Sequence, residues 1–340
     1  MATGAPKRVS ERARAASEQA ALQIIRVLRD SGFTAYLAGG CVRDVLLGLS
    51  PADYDVATSA TPDQVLQLFD DAHEVGKAFG VVLVRFARGR LQDRQGRPMP
   101  SASVEIATFR REGSYSDKRR PDSVDFCGPE EDARRRDFTL NALFLDPFLP
   151  GSVEQQIIDT VGGLADLRDG IIRAVGDPEA RLNEDHLRAL RAVRFASRFD
   201  FEIEQGTAAA IRAHARCLTG VSNERVGDEL RRMLSLHESV PGRRRAIHLI
   251  EDLQLGLPVL GVEASELVNP ESGALAGVVP DSDFPTTLIA WVHDREGLQN
   301  LSADSANQVF EERAHTLRRQ LVLSNEELSA FRAIAEGLVH

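Results

Sequence analysis

Long apolar runs are absent from this 340-residue chain; nothing in it approaches the ~20 residues that a membrane-spanning helix requires. No membrane partner is expected. Cysteine is scarce, and Cys41, Cys127 and Cys217 are odd in number, far apart and without paired spacing. That excludes a disulfide framework and a cysteine-based zinc site, and it suits a reducing cytoplasm. The start, "MATGAPKRVSERARAASEQAALQIIRVL", has no apolar core followed by a small-residue cleavage site, so no secretory signal is expected. Its Arg-, Ser- and Ala-containing character weakly suggests an organelle transit peptide, against which Glu11 and Glu18 stand. Internal repeats and low-complexity tracts are also lacking. So is any overall positive charge, the net being −10. The acidity is local: from Glu251 to the end there are 15 acidic and 5 basic residues, which leaves 36 of each sign in residues 1–250. Local basic patches decide whether a phosphate backbone can dock. Arginines cluster in "RRPD", "ARRRDF" and "RALRAVRFASRF".

What is present reads as two regions. Ala13, Ala16, Ala20, Ile24 and Leu28 recur at helical spacing over residues 10–30, with Gly32 just past the end. "TAYLAGG" predicts a short buried strand running into glycines, "VRDVLLG" a short helix stopped by Gly48, and "YDVAT" another strand. In "TPDQVLQLF" Thr61 caps a helix, with Pro62 at its first position and Asp63 in its first turn. "VVLVRFA" and "SVEIATF" are further strands joined by a polar hairpin loop. Strands mixed with helices up to about residue 147 predict an α/β or α+β head domain. After "DPFLPGS" the pattern turns helical, with candidates at 160–168, 184–199, 206–216, 222–236 and 242–253, and weaker patterns at 285–292 and 304–338.

Three constellations carry chemistry. In "SPADYDVATS" Asp53 and Asp55 stand two positions apart. By composition the stretch is a turn. If it is extended, both carboxylates share a face and Tyr54 and Val56 take the other. Two adjacent anions repel unless a cation separates them, so the stretch is either a turn or half of a metal site. Twelve residues before it, "LAGGCVRD" places Gly39 and Gly40 between a strand and a helix. There backbone N–H groups can approach a phosphate, and Arg43 can pair with its oxygens; a plain structural turn is the alternative. Glu105 is a charge in an otherwise apolar strand, alternating with Val104 and Ile106. It reads as an exposed edge-strand glutamate or as the third acid of a centre whose two ions lie ~3.5–4 Å apart. Finally, Asp185, Arg188, Arg191 and Arg194 form a row at three-residue steps, opposite Leu187, Leu190, Val193 and Ala196. A solvated charged face would look the same.

In order along the chain, "GGCVRD", "DYDVAT", "TFRREGSYSDKRRP" (108–121), "RRRDFTLNAL" (134–143), "DTVGGLADLRDGIIRAVGDP", "RLNEDHLRALRAVRFASRF" and "NERVGDEL" (223–230) resemble the motifs of the class II tRNA nucleotidyltransferases (CCA-adding enzymes) and bacterial poly(A) polymerases. The likeness runs from about Ala35 to Leu234. It implies an α+β fold, with a polymerase-β-like nucleotidyltransferase head of mixed sheet and helices over 1–147. An all-helical region would follow, divided into a base-recognising neck (148–236) and an RNA-binding body and tail (237–340). By the same resemblance Asp53 and Asp55 hold Mg²⁺, and the reading of the strand adds Glu105 to them as a catalytic acid. Gly39, Gly40, Arg43, Arg136, Asp137 and Asn141 meet the nucleotide. Asp185 and Arg188 imitate a template base, and Arg191 and Arg194 meet the nucleotide or its phosphates. The implied reaction is addition of CCA, or of its CC or A part, to the 3′ end of tRNA from CTP and ATP, in the cytoplasm and without DNA.

The sequence also departs from the pattern. His186 stands where proline is common, and the segment after residue 250 resembles nothing recognisable. "WVHDRE" carries the His293-Asp294 dipeptide of a metal phosphohydrolase, but only His315 lies near it as a further ligand. Two other functions stay open. A poly(A) polymerase shares most motifs, although "HEVGKAFGVVLVRF" lacks the Arg-Arg-Phe and His-Val run usual there. A catalytically inactive RNA- or nucleotide-binding module would not require Asp53, Asp55, Arg43, Asp185 and Arg188 together.

Overall fold

A computed structural model describes residues 10–76, 80–112, 124–235, 238–264 and 268–339. The chain divides into two compact units, Met1–Asp169 and Gly170–His340.

In the first unit, α1 (Glu11–Asp30) begins where the Ser10 hydroxyl accepts from the Ala13 N–H, and it buries Ala16, Ala20, Ala21, Ile24, Ile25 and Leu28. There follow β1 (Ala35–Ala38), α2 (Gly40–Leu46), β2 (Asp55–Thr58) and α3 (Pro62–Leu68). Thr61 and Gln64 close a reciprocal capping box at the start of α3. Next come β3 (Ala72–Gly76), β4 (Val81–Phe86) and β5 (Ala102–Thr108), then a ribbon of β6 (Arg110–Glu112) and β7 (Val124–Phe126). The unit closes with α4 (Pro129–Arg134), β8 (Phe144–Leu145), β9 (Ile157–Ile158) and α5 (Gly163–Asp169).

Seven strands form one sheet in the order β3-β4-β5-β2-β1-β8-β9. Every neighbouring pair is antiparallel except β2 with β5. The register aligns Leu37 with Val56, Val56 with Ile106 and Ile106 with Val82, so one face is a continuous apolar row. All four are buried, each contributing ~1.5–3 kcal/mol on removal from water. Helix α1 packs along β1, β2 and β5. The unit ends after Asp169 and not at 147, because β9 extends the head sheet and α5 packs on the single turn at Thr139–Asn141. There the Thr139 hydroxyl donates to Asp166 at 2.7 Å, and a Cβ on Gly163 would fall 2.1 Å from the Thr139 carbonyl oxygen.

The second unit is largely helical: α6 (Pro178–Glu184), α7 (Arg188–Phe199), α8 (Gln205–His214), a 3₁₀ stretch (Ala215–Gly220), α9 (Asn223–Leu234) and α10 (Val240–Asp252) lead to α11 (Gly256–Leu260), α12 (Gly273–Ala276), α13 (Phe284–Arg295), α14 (Ala303–Gln320) and α15 (Asn325–Val339). One departure from an all-helical region is the short parallel pair β10 (Ile171–Ile172) and β11 (Glu202–Ile203). The pattern at 304–338 is two helices, broken near Val322, whose φ is 50°. The helix expected at 184–199 begins only at Arg188, since Asp185 is extended (φ −153°, ψ 103°) and closes α6. The His293-Asp294 dipeptide is structural: Asp294 accepts from the Ala274 and Leu275 N–H groups and caps α12. Among the described residues no helix is long and apolar enough to cross a membrane.

Candidate active site

The sheet register assembles the head site. Phe144 on β8 pairs with Ala38 on β1, and Ala38 pairs with Asp55 on β2. The parallel pairing of Val56 with Ile106 sets Glu105 beside Asp55 on the next strand. Side chains on paired positions share a face, so Phe144, Ala38, Asp55 and Glu105 form a row opposite the apolar one. Asp53 is exposed, Tyr54 buried, Asp55 half-buried and Val56 buried, the alternation of an extended chain. The Ser-Pro stretch is therefore the entry to a strand. Glu105 is exposed, but β5 lies between β4 and β2, so it is not on an edge strand.

Burial, then the charges of Asp53 and Glu105, push the Asp55 carboxyl up from 3.8 to about 7, with Arg136 opposing them. The buried Cys41 thiol nearby is pushed up to about 12, by burial first and also by the Asp55 and Asp53 charges. Three crowded carboxylates, only partly offset by a guanidinium, are an oxygen-donor set that a hard divalent cation neutralises.

The Gly-Gly turn sits at the end of this row. Gly39 has φ +70°, and a Cβ there would come within 3.1 Å of Arg136 Nη1. Arg136 is clamped from below: Nε and Nη2 donate to Asp132 Oδ2 at 3.2 and 2.9 Å, Nη1 donates to the Asn141 carbonyl, and the guanidinium lies 4.8 Å over the Phe144 ring. Asp132 is 1% exposed; burial alone would raise its pKa, but Arg136 and Arg135 hold it below the ordinary value. Asp137 Oδ1 accepts from the Phe138 N–H and from Asn141 Nδ2. Arg43 is buried, bonded through Nε and Nη2 to Asp44 Oδ1 and through Nη1 to Asn141 Oδ1 at 2.7 Å. It braces the turn from inside.

In the second unit the four-residue row is split. Asp185 lies between α6 and α7, its carboxylate held bidentately by Arg225 at 3.2 and 2.6 Å and accepting from the Leu187 N–H at 3.1 Å. Arg188 opens α7 and donates to Glu184 Oε2 at 2.6 Å and to the Arg181 carbonyl at 2.8 Å. Arg191 lies 5.4 Å from the Phe195 ring centre. Arg194 is buried and donates to Glu229 Oε2 at 2.6 Å, tying α7 to α9. Burial lowers its pKa, against the pull of Glu229.

Sequence reasoning did not single out Asp44, Asp132, Arg225 or Glu229. Asp132 carried a signal, standing three and four residues before Arg135 and Arg136 on one short helix. Arg225 and Glu229 fall within "NERVGDEL", where local spacing assigns them no role. Of the 108–121 loop, residues 113–121 lie outside the described residues.

Residues 35–173 match the Poly A polymerase head domain, and residues 200–249 match the family described as probable RNA and SrmB- binding site of polymerase A. Over 215 residues the chain is 44% identical to the CCA-adding enzyme of Ligilactobacillus salivarius (strain UCC118), covering 63% of this chain and 48% of that protein. Over 278 residues it is 37% identical to the CCA-adding enzyme of Lactiplantibacillus plantarum (strain ATCC BAA-793 / NCIMB 8826 / WCFS1), covering 82% and 63% respectively. The chain thus spans about half the length of the curated relatives it matches. The crystal structure of Bacillus stearothermophilus CCA-adding enzyme in complex with CTP aligns at a TM-score of 0.65 and 30% identity, covering 94% of this chain and 69% of that one.

Proposed function

The chain belongs to the family of the CCA-adding enzymes, and from that premise we propose that it is a template-independent tRNA nucleotidyltransferase. It adds CCA, or the CC or A part of it, to the tRNA 3′ end from CTP and ATP and releases pyrophosphate, in the cytoplasm. The observation that carries this reading is the crowding of the Asp53 and Glu105 charges on Asp55, at the start of β2 beside the Gly39 turn.

Asp53 and Asp55 are the residues that would hold Mg²⁺, with Glu105 adding negative charge beside Asp55. When bound, the ion supplies Lewis-acid activation of the RNA 3′-hydroxyl and the nucleotide α-phosphate. The hydroxyl attacks phosphorus in line, the bond to pyrophosphate breaks, and no covalent enzyme intermediate is required. Arg136 offers positive charge on the same face, fixed in place by Asp132. Gly39 and Gly40 leave the backbone open to a phosphate. Arg43 and Asn141, bonded to each other, hold that turn, and Asp137 orients Asn141. In the second unit Asp185 can accept from a cytosine N4 amine while Arg188 donates to the base. Both are engaged in this structure by Arg225 and Glu184, so reading a base exchanges one set of charged bonds for another. Arg191, half-buried on α7 against Phe195, is a further candidate for a phosphate contact. The buried bond of Arg194 to Glu229 favours a strut over a nucleotide contact.

The head-domain match keeps poly(A) tailing as a second reading. One assay separates the two: purified protein with tRNA lacking its 3′ end, given CTP alone, ATP alone or both. Three added residues with both nucleotides support CCA addition. Long A tails on unstructured RNA support tailing, and A added only to tRNA ending in CC marks a divided system. No incorporation under any of these conditions would overturn the proposal.

A further inference from the structure

We propose that the second unit carries a transition-metal site formed by His186, His214 and Cys217, with the donor chemistry of Zn²⁺. One ligand atom from each of the three lies within 4.8 Å of the other two. They arrive from three separate places: His186 from the turn between α6 and α7, His214 from the last residue of α8, and Cys217 from the 3₁₀ stretch behind it. The cysteine spacing excludes a zinc site of paired cysteines, whereas this one takes a single cysteine with two histidines. Folding brings a distant histidine onto the local His214-x-x-Cys217 pair.

The imidazole rings are near-parallel, with centroids 5.7 Å apart and planes 26° apart. His186 is buried, His214 half-buried and Cys217 exposed, which leaves a route for an ion from solvent. Glu179 on α6 is bonded to His214 Nε2. A carboxylate on the other ring nitrogen of a ligating histidine fixes ring and tautomer in metal sites, the role Glu179 takes when His214 meets the ion through Nδ1. Two imidazoles and a thiolate select Zn²⁺ and its first-row neighbours over Mg²⁺ or Ca²⁺, which take oxygen donors. Bonds of ~2.0–2.1 Å to nitrogen and ~2.3 Å to sulfur require the trio to close by roughly 1 Å. Binding releases the Cys217 thiol proton to solvent and forms the metal–sulfur bond. The ion would tie the 185–187 turn to α8. This site is independent of the head carboxylates, which offer oxygen only.

The full chain, stripped with chelator and titrated with Co²⁺ as a spectroscopic substitute, tests the assignment. One equivalent should give a thiolate-to-cobalt charge-transfer band, which Cys217→Ser abolishes. His186→Asn and His214→Asn should weaken Co²⁺ binding about tenfold or more. Because a variant can fail to fold, the unmodified protein supplies a second measurement. Zn²⁺ should slow alkylation of Cys217, followed by peptide mass, at least tenfold. Absence of the band, its survival in Cys217→Ser, or alkylation of Cys217 unaffected by Zn²⁺ would each overturn the proposal.

Discussion

Arg194→Ala should leave the Glu229 carboxylate, 4% exposed, without the guanidinium that donates to it at 2.6 Å. Removing one member of a buried ion pair costs ~3–5 kcal/mol, because the other is left charged and desolvated. Here Arg232 lies 3.5 Å from the other Glu229 oxygen, but its side chain is 62% exposed. That partial, solvated compensation places the cost near the lower end, about 3 kcal/mol. Replacing both partners by apolar residues of similar size, Arg194→Met with Glu229→Leu, should cost less than Arg194→Ala alone, since no orphan charge remains. The protein contains a single tryptophan, and Trp291 is fully buried in α13 of the same unit. Its fluorescence therefore follows unfolding of the unit that contains the pair. At ~1–3 kcal/mol per molar urea, the single substitution should move the midpoint down by roughly 1–3 M. A midpoint that stays put while CTP and ATP binding weakens would refute the strut and restore Arg194 as a nucleotide contact.

Asp53→Ala and Asp55→Ala should each abolish pyrophosphate release while tRNA binding stays near that of the parent protein; wild-type turnover by either would sink the metal assignment. The Asp55 carboxyl, raised from 3.8 to about 7, stays protonated in the metal-free head where the unfolded chain has already ionised. The folded state then binds more protons than the unfolded one, so the stability of the metal-free head falls as pH rises from about 4 to 7. An entering cation must displace that proton, so apparent Mn²⁺ affinity should drop about tenfold per unit below pH 7 and level off above it; titrations at pH 6, 7 and 8 giving equal affinity would contradict this. Gly39→Ala sets a Cβ 3.1 Å from Arg136 Nη1 at φ +70°, and the head should lose about 1–3 kcal/mol together with most activity; an unchanged thermal midpoint would count against it. Arg225→Ala removes the bidentate partner of Asp185, so the ratio of kcat/KM for CTP and ATP should shift, and a constant ratio would show that Arg225 does not orient the carboxylate.

Much of the head could be read from local signals. The Thr61 cap with Pro62, the alternation through Val104, Glu105 and Ile106, and the glycines after "AYLA" all act through near neighbours, and the corresponding elements appear where expected. The same holds for Asp53 and Asp55, whose alternation with Tyr54 and Val56 survives in the strand entry. What escaped depends on contacts distant in sequence. The placement of Glu105 on a central strand follows from a parallel pairing across residues 59–101, which no periodicity reveals. Helical spacing predicted one helix over 184–199, but the Asp185 side chain bonds the Leu187 N–H and competes with the helical ladder, and Arg225 rewards the extended form. A row of arginines on one helix looked uniform. Glu229 on another helix makes Arg194 a buried strut, while Arg191 is half-buried against the Phe195 ring.

The lone parallel pair in the head sheet has a consequence for how such a chain tolerates change. Asp55 and Glu105 are neighbours because β2 and β5 run the same way, so everything between them (α3, β3, β4 and the 87–101 hairpin loop) is an excursion that leaves and returns. Residues added to or removed from that loop alter the length of the detour and leave the two acids where they are. One residue inserted between Ala102 and Glu105 is a different matter, since a slip of one position turns every side chain on that part of the strand to the opposite face. Length variation among functional versions of this chain should therefore collect in the loop and be absent from the strand, although the two segments adjoin.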